Sequence, residues 1–483
     1  MWRWLALHLS LLLPTSSSGI RHGDGDSGCT VAHFGAVPDN ATDNTAAFRA
    51  AFASSCDEVV VPPGTWMTGP FNLSSHTVLR VFGTISGSRD PTLYPVVIQQ
   101  PLDEAYRAPY MHNRQRQALI SAYSAVNITV VGSGTVDGNG WDWWRNITSN
   151  VSNNLCREHC PGSGCPAACL IQRPKLVEFV DCTDVTVQGG PEQERLTFKN
   201  SPFWTLHPTF STNVRISQVN VLAPRDHGNT DGVDPDSCDN VHVSDVLIDV
   251  GDDAVSVKSG LHWKNKTKVA AQNYVFERVD IVFRNFAIGS DVSGDVRNIT
   301  FRDSTIGDDL GSSPWAIRIK TDSQEGGIVD GVAFQNIRIG NITYCGSSRF
   351  VFTPPHARKD LCSPREQPAT MIDIHMGYVG AKTRPGRVRN VVIDGLHGIG
   401  PSGPCMHACG LSNATGCPGC AEHIQNLTIT NVSLVQGDMW MCSLVDGVVL
   451  RDVKPMPHGS SCHLAASGGR PAASDGTAPP KPS

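Results

Sequence analysis

Residues 213–221 read NVRISQVNV, and residues 240–248 read NVHVSDVLI. In each stretch apolar residues, most of them β-branched, alternate with polar ones, and an Asn opens the run. Alternation with a period of two predicts a β-strand with one buried face, and Asn favours a turn. Two such stretches of similar length and phase predict that the chain repeats a unit made of a strand and a turn.

The same unit recurs along most of the chain, at intervals of about 25 to 35 residues. A regular interval of this size is typical of a solenoid, and the strand content predicts that each unit is one coil of a parallel β-helix. We therefore predict an all-β fold, a single-stranded right-handed parallel β-helix. An ordinary β-sandwich is the alternative, which the common phase of the repeats disfavours. Further runs begin at Asn127, Asp184, Val296, Gly331, Val388 and Ile424.

Three short motifs, DCTDV, FSTNV and SCDNV, reveal the register of the repeats. Two residues before the Asp or Asn that opens each strand come Cys182, Ser211 and Cys238 in turn. If the three coils stack in register, Cys182 and Cys238 lie two strand spacings apart, about 9.5 Å. A disulfide requires Cα atoms within about 7 Å, so we predict that these two cysteines do not pair with each other.

The two ends of the chain differ in composition from the repeats. A basic residue precedes an apolar run from Trp4 to Leu13, and small residues follow, which predicts a secretory signal peptide over residues 1–19. A signal anchor is the alternative, but the apolar run is short for a bilayer span. Residues 464–483 are rich in Pro, Gly and Ser and are predicted to be disordered. Residues 20–463 are then predicted to form one β-helix domain.

One segment near the N-terminus has a helical pattern. Ala46, Phe48 and Phe52 form an apolar face, and Asp43 or Asn44 is available to cap the first turn. We predict that this helix closes the N-terminal end of the solenoid, where stacked strands would otherwise expose an edge.

Cysteine content and charge indicate an exported protein. All 16 Cys follow the predicted signal peptide, and disulfides are their default state in an oxidising compartment. The clusters at residues 156–169 and 405–420 could instead hold zinc, but their Gly- and Pro-rich context favours disulfides. The net charge of -6 is mild for 483 residues and argues against a general polyanion-coating surface. We expect a secreted monomer without nucleic-acid or membrane partners. N-glycosylation sequons, which fit the secretory route, include Asn40, Asn72, Asn127, Asn298, Asn341 and Asn426.

Three carboxylates occur in two turns that lie about one coil apart. The NTDG turn contains Asp231, and the GDD turn contains Asp252 and Asp253. Each turn directly precedes a short alternating strand. Because turns one coil apart stack on neighbouring rungs of a β-helix, we expect the three carboxylates to gather on one surface.

Two strand sequences place basic groups on the same face as these acids. In AVSVK the alternation points Val255 and Val257 inward and Lys258 outward. In AIRIK it points Arg318 and Lys320 outward. Carboxylates on adjacent rungs with Arg and Lys beside them form a site that is able to do acid–base chemistry on an anionic sugar.

Each piece alone has a simpler interpretation. Asp-Gly and Gly-Asp-Asp are common turn sequences, and basic residues on a strand usually lie on a solvated face. The stretch DGVDPDS at residues 231–237 also offers several oxygen ligands to Ca²⁺, as acidic turns in solenoids can do. Only the combination favours a catalytic site.

In combination, NTDG, GDD with the SG that closes its segment, and RIK at residues 318–320 resemble the ordered motif set of glycoside hydrolase family 28, the polygalacturonase family. Its members share a right-handed parallel β-helix. Further stretches resemble the plant-like branch of that family, from about Phe34 to about Gly340: FGAVPDNATDNTAAF, PPGTWMTGPFNLSSHTVLRV, GTVDGNGWDWW and NSPFWTLHP. The ordered set is specific, whereas any single motif is not.

The resemblance implies hydrolysis of α-1,4-linked galacturonan in pectin, with inversion of configuration and without a cofactor or a bound metal. It implies that Asp252 is the general acid and that Asp231 and Asp253 activate the attacking water. Inversion is expected to separate acid and base by about 6.5–9.5 Å, so that water can enter between them. Crowding of the carboxylates is also expected to raise the pKa of at least one of them.

The resemblance also implies the substrate-binding residues. Arg318 and Lys320 would hold the uronate carboxylate, Arg by its bidentate fork and Lys as a point charge. Asn229, from the NTDG motif, would contact the substrate as well.

One segment departs from the family pattern. The usual Gly-His-Gly should fall just before IGS, yet this chain reads FRNFAIGSDVSG, with Arg284 in the position of the His. Ala254 stands where a Cys commonly follows GDD. The acids are therefore expected to be in place, while the resemblance does not set the rate, the pH optimum or the substrate detail.

Three other functions use the same features. A pectate lyase would need Ca²⁺ and a base that abstracts a proton. A solenoid that binds pectin without catalysis would use the carboxylates only structurally. A hydrolase of rhamnogalacturonan or xylogalacturonan is the nearest competitor, because it differs only in the pectic substrate.

Overall fold

The computed structural model describes residues 29–98, 114–148, 173–260, 262–263, 267–308, 313–322, 326–342, 370–379, 386–401, 405–409, 424–437, 440–443 and 445–454. The predicted signal peptide and the predicted tail lie outside these residues, as do the cysteines of residues 156–169. Those assignments, and the single domain over residues 20–463, stay predictions.

Short strands make up most of the described chain. Its two α-helices are α1 (Thr45–Ala53) and α2 (Trp141–Thr148). The strands of the N-terminal half are β1 (Cys29–Thr30), β2 (Glu58–Val61), β3 (Thr65–Thr68), β4 (Phe71–Asn72), β5 (Val78–Val81), β6 (Thr84–Gly87), β7 (Val96–Ile98), β8 (Arg114–Arg116), β9 (Ile120–Tyr123), β10 (Val126–Gly132), β11 (Thr135–Asp137), β12 (Val177–Val180), β13 (Thr183–Gln188), β14 (Leu196–Lys199), β15 (Leu206–Thr209), β16 (Thr212–Ser217) and β17 (Val219–Leu222). Those of the C-terminal half are β18 (Asp239–Asp249), β19 (Val255–Ser259), β20 (His262–Trp263), β21 (Thr267–Lys268), β22 (Ala271–Phe283), β23 (Phe286–Val292), β24 (Val296–Ile306), β25 (Trp315–Asp322), β26 (Ile328–Ile342), β27 (Thr370–Val379), β28 (Arg387–Pro401), β29 (Met406–Cys409), β30 (Ile424–Leu434), β31 (Trp440–Ser443), β32 (Val445–Asp446) and β33 (Val449–Lys454).

The strands pair in parallel from one coil to the next. A sheet of 19 strands, a sheet of four (β4, β9, β12 and β15) and a sheet of six (β19, β23, β25, β27, β29 and β31) run along the molecule. Isolated bridges at Val233 and Asp236 connect the four-stranded sheet to the six-stranded sheet. Parallel pairing between successive coils confirms the predicted parallel β-helix and rules out the β-sandwich alternative.

Aligned apolar side chains fill the interior of the solenoid. Phe286 packs against Phe276, Phe301 and Phe334, with ring centroids 4.7–5.4 Å apart. Removing such columns from water drives folding at about 25 cal/mol per Å² of apolar surface. One column of buried residues in register comprises Val185, Val214, Val241, Tyr274, Ile299, Val332, Val391 and Leu427.

The Asn or Asp that opens each strand is explained by the backbone. Asp184, Asn213 and Asn240 adopt φ values of 58°, 59° and 58°. This left-handed region is uncommon for most side chains but accessible to Asn and Asp. Their side chains also bond along the solenoid: Asn213 Nδ2 donates to Asp184 Oδ1 at 2.8 Å, and Asn240 Nδ2 donates to Asn213 Oδ1 at 2.7 Å.

The register predicted from Cys182, Ser211 and Cys238 is confirmed. The backbone N–H of Cys182 donates to Ser211 Oγ at 3.0 Å, and that of Ser211 donates to Cys238 Sγ at 3.4 Å. Cys182 and Cys238 are buried free thiols, as predicted. A disulfide joins Cys29 and Cys56.

The predicted N-terminal helix is present and covers the end of the solenoid. Phe48 and Phe52 of α1 pack on Phe71 of β4, with ring centroids 5.1 and 5.0 Å apart. Asp43 accepts a hydrogen bond from the backbone N–H of Thr45 at 3.0 Å, whereas the Asn44 side chain bonds to Val37 and Met67.

Helix α2 was not expected from the sequence, because eight residues are too short a stretch for a helical pattern to stand out. No helix in the described parts of the chain is long and apolar enough to cross a membrane.

Candidate active site

The three acids lie at the starts of two adjacent rungs. The backbone N–H of Gly232 donates to Asp253 O at 3.1 Å, and Val233 bridges to Val255. The NTDG turn and the GDD turn therefore stack directly on each other. One oxygen from each of Asp231, Asp252 and Asp253 lies within 4.8 Å of the other two. The expected gathering of the three carboxylates is present.

This spacing corrects one expectation. The distance of about 6.5–9.5 Å between acid and base that is common in inverting glycosidases is wrong for this trio. A separation of at most 4.8 Å between the nearest oxygens instead suits one water held by two carboxylates. Two hydrogen bonds of about 2.8 Å at a tetrahedral water place their acceptor oxygens about 4.6 Å apart.

Two backbone N–H groups hold the carboxylate of Asp252. Asn229 N–H donates to Asp252 Oδ2 at 2.7 Å, and Asp253 N–H donates to Asp252 Oδ1 at 3.0 Å. The side chain is only half-buried, whereas Asp231 and Asp253 are each 4% exposed. Asp252 is therefore fixed in one orientation and is the acid of the trio most accessible to a ligand.

Asp253 is surrounded by cations. Lys320 Nζ lies 2.5 Å from Asp253 Oδ2, and Asn285 Nδ2 donates to Asp253 Oδ1 at 3.0 Å. Burial would raise the pKa of Asp253, but Lys320, Arg318 and Lys258 outweigh it and lower the pKa to about 2. Asp253 therefore favours its ionised form.

Asp231 has the opposite environment. Burial, followed by the nearby charges of Asp234 and Asp252, raises its pKa well above the ordinary value. Among the described residues, Asp231 Oδ1 has no hydrogen-bond partner. The environments of Asp231 and Asp253 therefore move their pKa values in opposite directions, and such a separation of pKa values is what acid–base chemistry uses.

Asp234 is a fourth carboxyl that the sequence analysis did not select. It is fully buried on the outer face of the rung that follows Asp231, and neither of its oxygens has a hydrogen-bond partner within the described chain. Burial raises its pKa well above the ordinary value, against the opposing effect of Lys258. The alternation in DGVDP could have identified this residue, because it points Asp234 to the same face as the three acids.

Lys258 is the cation beneath these acids. Its Nζ donates to Ser256 Oγ at 2.8 Å and lies 4.6 Å from the ring centroid of Trp204. Burial opposes its charge, but Asp234 and Asp231 lead the carboxylates that raise its pKa. Lys258 therefore stays protonated and offsets part of the repulsion among the acids.

A second buried ionic group lies on the same face, two rungs upstream of Asp231. Lys175 Nζ contacts Glu178 Oε1, and His207 Nδ1 lies 3.1 Å from the same oxygen. Burial, followed by the charge of Lys175, lowers the pKa of His207 to about 3, so its imidazole is neutral. On this part of the outer face of the solenoid, other parts of the protein therefore cover the side chains and bury them.

The predicted substrate-binding cations lie beside the acids but already have partners. Lys320 pairs with Asp253, and Arg318 Nε lies 3.2 Å from Asp373 Oδ2. The Arg318 guanidinium also lies 4.1 Å from the ring centroid of Trp315. The alternation in AIRIK correctly predicted that Arg318 and Lys320 point to the outer face. That face is buried at this point, which the sequence did not predict.

Asn229 also differs from a free ligand-binding side chain. Its φ is 59°, in the left-handed region that Asn tolerates, and its Oδ1 accepts a hydrogen bond from Arg173 Nη2 at 2.9 Å. Arg173 also donates to Gly228 O at 3.0 Å and thus holds the loop that carries Asn229. Arg173 was missed, since it lies 56 residues upstream of Asn229 and outside any motif.

The sequence profile of the glycosyl hydrolases family 28 matches residues 56–415 of this chain. The chain belongs to that family.

Curated relatives agree with this assignment. A probable polygalacturonase of Vitis vinifera is 30% identical over 316 residues, which are 62% of this chain and 58% of the relative. A probable polygalacturonase of Arabidopsis thaliana is 26% identical over 337 residues, which are 66% of each protein. The chain thus spans less than two thirds of the length of these family 28 relatives.

Solved structures confirm the fold. A hyperthermoactive exopolygalacturonase from Thermotoga maritima superposes with a TM-score of 0.64 at 22% identity, covering 88% of this chain and 89% of that one. An endo-xylogalacturonan hydrolase from Aspergillus tubingensis gives a TM-score of 0.57 at 18% identity, with 90% and 99% coverage. At these identities the similarity concerns the β-helix alone.

Arg284, which stands where the family 28 pattern has a His, contacts the site through its guanidinium. Arg284 Nε donates to the backbone carbonyl of Gly251 at 3.0 Å, and the guanidinium lies 5.2 Å from the ring centroid of Phe283. The N–H of the same Gly251 donates to Thr230 Oγ1 at 3.1 Å. Arg284 therefore contacts the backbone of the GDD turn.

Proposed function

We propose that this family 28 protein hydrolyses α-1,4-galacturonosyl linkages of pectic polysaccharides. The observation that carries the proposal is the trio Asp231, Asp252 and Asp253, gathered within 4.8 Å from two adjacent turns, with Lys320 against one member. Carboxyl groups in unlike environments do the acid–base work of glycosidases, and cations beside them attract an anionic sugar.

In this proposal Asp252 donates the proton to the leaving glycosidic oxygen. It is the accessible member of the trio, and the hydrogen bonds from Asn229 and Asp253 fix its orientation. A proton donor must lie within hydrogen-bond reach of the atom that it protonates, and a fixed side chain satisfies this at low entropic cost.

Asp231 and Asp253 are proposed to orient the attacking water, and Asp253, whose pKa is lowered, is proposed to accept its proton. Their oxygens lie at a separation that one bridging water spans, and the low pKa of Asp253 keeps it able to accept a hydrogen bond. Attack by water held in this way gives inversion in a single displacement. The short separation is closer to the about 5–5.5 Å of retaining enzymes, so the stereochemistry of the product is a decisive measurement.

Substrate binding is proposed to exchange existing ion pairs for contacts with a uronate. Arg318 presents a planar donor group beside Asp373, and Lys320 presents a compact charge beside Asp253. A uronate carboxylate that enters between them would share both cations, with Asn229 at the edge of the same loop.

The experiment is digestion of polygalacturonate by the purified protein. We expect new reducing ends, no unsaturated product absorbing in the ultraviolet, and a β-anomer as the first product in a time-resolved NMR spectrum. An unsaturated product that disappears with a chelator would identify a lyase. Cleavage of rhamnogalacturonan or xylogalacturonan alone would mean that one of these pectic polysaccharides is the substrate. Binding of the polysaccharides without cleavage of polygalacturonate, rhamnogalacturonan or xylogalacturonan would overturn the proposal.

We also propose that the protein is secreted and acts as a monomer. The apolar N-terminal run and the Cys29–Cys56 disulfide support export to an oxidising compartment. Recovery of the protein from the medium of expressing cells, cleaved near residue 19, and its mass in solution by light scattering test both statements.

A further inference from the structure

Helix α2 places three tryptophans beside the loop that leads to the acids. Trp143 is buried with its ring edge-on to Tyr94, at 5.3 Å between centroids. Trp144 is buried and stacks on His227, with centroids 4.3 Å apart and an angle of 21°. Trp141, the first residue of the helix, is instead 42% exposed. Two of the three rings thus attach the helix to the solenoid, and the third faces solvent.

The exposed ring is nevertheless held in place. Trp141 packs edge-to-face with Trp144 at 5.2 Å and 70°, and with His227 at 6.0 Å and 90°. Gly140 makes this packing possible, because a Cβ there would lie 2.3 Å from the Trp144 ring. An aromatic ring that is both oriented and exposed has already lost the freedom that binding would otherwise remove.

His227 connects this ring to the acids. Thr230 Oγ1 donates to His227 O at 2.7 Å, and a Cβ on the adjacent Gly228 would lie 3.5 Å from Asp252 Oδ2. The next residue, Asn229, donates its N–H to the same oxygen. Since consecutive Cα atoms are about 3.8 Å apart, Trp141 lies within a few sugar lengths of Asp252.

We propose that Trp141 is a carbohydrate-stacking residue, which binds a unit of the galacturonan chain that lies beyond the units at the acids. The proposal rests on the proposed function and adds a binding position to it. The C–H groups on one face of a pyranose form an apolar surface that packs on an indole by dispersion and burial of apolar area. An oriented aromatic beside a polar site is the kind of surface that ligands cover.

The surrounding charges permit an anionic sugar to approach. Asp142 follows Trp141, but Arg89 lies 3.9 Å from its carboxylate and is itself largely exposed. Indole stacking does not depend on the charge of the sugar, so the uronate carboxylate is free to point toward solvent or toward Arg89.

The test compares Trp141→Ala with the wild-type protein on galacturonans of increasing length. We expect kcat/KM to fall about tenfold on long chains, through KM, and to change little on a disaccharide that reaches only the acids. Trp141→Phe should retain most of the wild-type value, since it keeps a flat ring. Phe82→Ala is the matched control, because Phe82 is also an exposed aromatic, at 47%, but lies in the turn after β5.

Equal loss of kcat/KM at every length would overturn the proposal, and so would an unchanged value for long chains. The first result would mean that Trp141 only supports the His227 loop, which a fall in the thermal unfolding midpoint of both Trp141 variants would accompany. If the wild-type protein cleaves no galacturonan, the proposed function fails separately. Binding of polygalacturonate to wild type and Trp141→Ala, measured by calorimetry, then decides the stacking proposal: a tenfold weaker affinity supports it and an equal affinity overturns it.

Discussion

Lys320 Nζ lies 2.5 Å from Asp253 Oδ2, although 67 residues separate the two in the sequence. Both side chains are almost fully buried, so each charge is compensated by the other. Removing one partner of a buried ion pair leaves an uncompensated charge, which costs more than the loss of an exposed pair.

Lys320→Met should therefore change the chemistry of Asp253 in addition to substrate recognition. Lys320 is the first of the cations that lower the pKa of Asp253, so its removal raises that pKa. If Asp253 must be ionised to hold the water, the acid limb of the pH–rate profile moves to higher pH. The measurement is kcat/KM on polygalacturonate from pH 3 to 8. Lys320→Arg keeps the charge and should keep the limb, and superimposable profiles for wild type and Lys320→Met would contradict the assignment.

Asp252→Asn should abolish the proposed proton donor while keeping its shape. We expect hydrolysis to fall by a factor on the order of 10² to 10⁴. One of the two backbone hydrogen bonds to the side chain is also lost, because an amide has a single acceptor oxygen. Unfolding midpoints will show whether the fold survives. Asp231→Asn should cost less activity, since Asp253 still holds the water, and near-wild-type turnover in Asp252→Asn would remove the central role of that residue.

Arg284→His restores the residue that the family pattern has at this position. The wild-type guanidinium donates to the carbonyl of Gly251, directly before Asp252. A cation there stabilises ionised carboxylates, so the acid limb of the pH–rate profile should lie at lower pH in wild type than in Arg284→His. Arg302→His, a change of an exposed Arg paired with Glu277, controls for the loss of one positive charge from the protein. Identical profiles in all three proteins would show that Arg284 acts only on folding.

Asp236→Asn should make stability less dependent on pH. Burial, the largest effect, raises the pKa of Asp236 from 3.8 to about 6, and the carboxyl is fully buried. A carboxyl whose pKa is raised on folding binds more protons in the native state than in the unfolded chain between pH 4 and 6. Stability is therefore lost as pH rises through that window, by about 3 kcal/mol at most for this group.

The measurement is the free energy of unfolding by urea at pH 4 and pH 7 for both proteins. Asn cannot ionise, so the loss between the two pH values should be smaller in Asp236→Asn than in wild type. Asp184→Asn is the matched control, because Asn already occupies the equivalent turn position at Asn213 and Asn240. An equal loss in Asp236→Asn and wild type would mean that Asp236 is ionised in the native protein throughout this range.

Much of the fold and the centre of the site followed from local sequence patterns. Asn213 and Asn240 marked strand starts because few other residues adopt a positive φ, and the alternation after them fixed which side chains face the core. Stacking of successive coils in register then converts a spacing in sequence into a distance in space. That is why Asp231, Asp252 and Asp253 could be placed together, and why Cys182 and Cys238 could be kept apart.

The sequence by itself thus determined the parallel β-helix, its register and the meeting of three acids, because each depends on a repeat that local backbone preferences impose. Only the tertiary structure decided the partners of those acids. Lys320 meets Asp253 across 67 residues, Arg173 meets Asn229 across 56, and Arg284 contacts the carbonyl of Gly251 instead of a carboxylate. Such contacts depend on how coils of unequal length stack and on which side chains cover the outer face. No local pattern encodes that covering or the approach of Lys320 to Asp253. Burial raises the pKa of Asp231, whereas the cations around Asp253 outweigh its burial and lower its pKa.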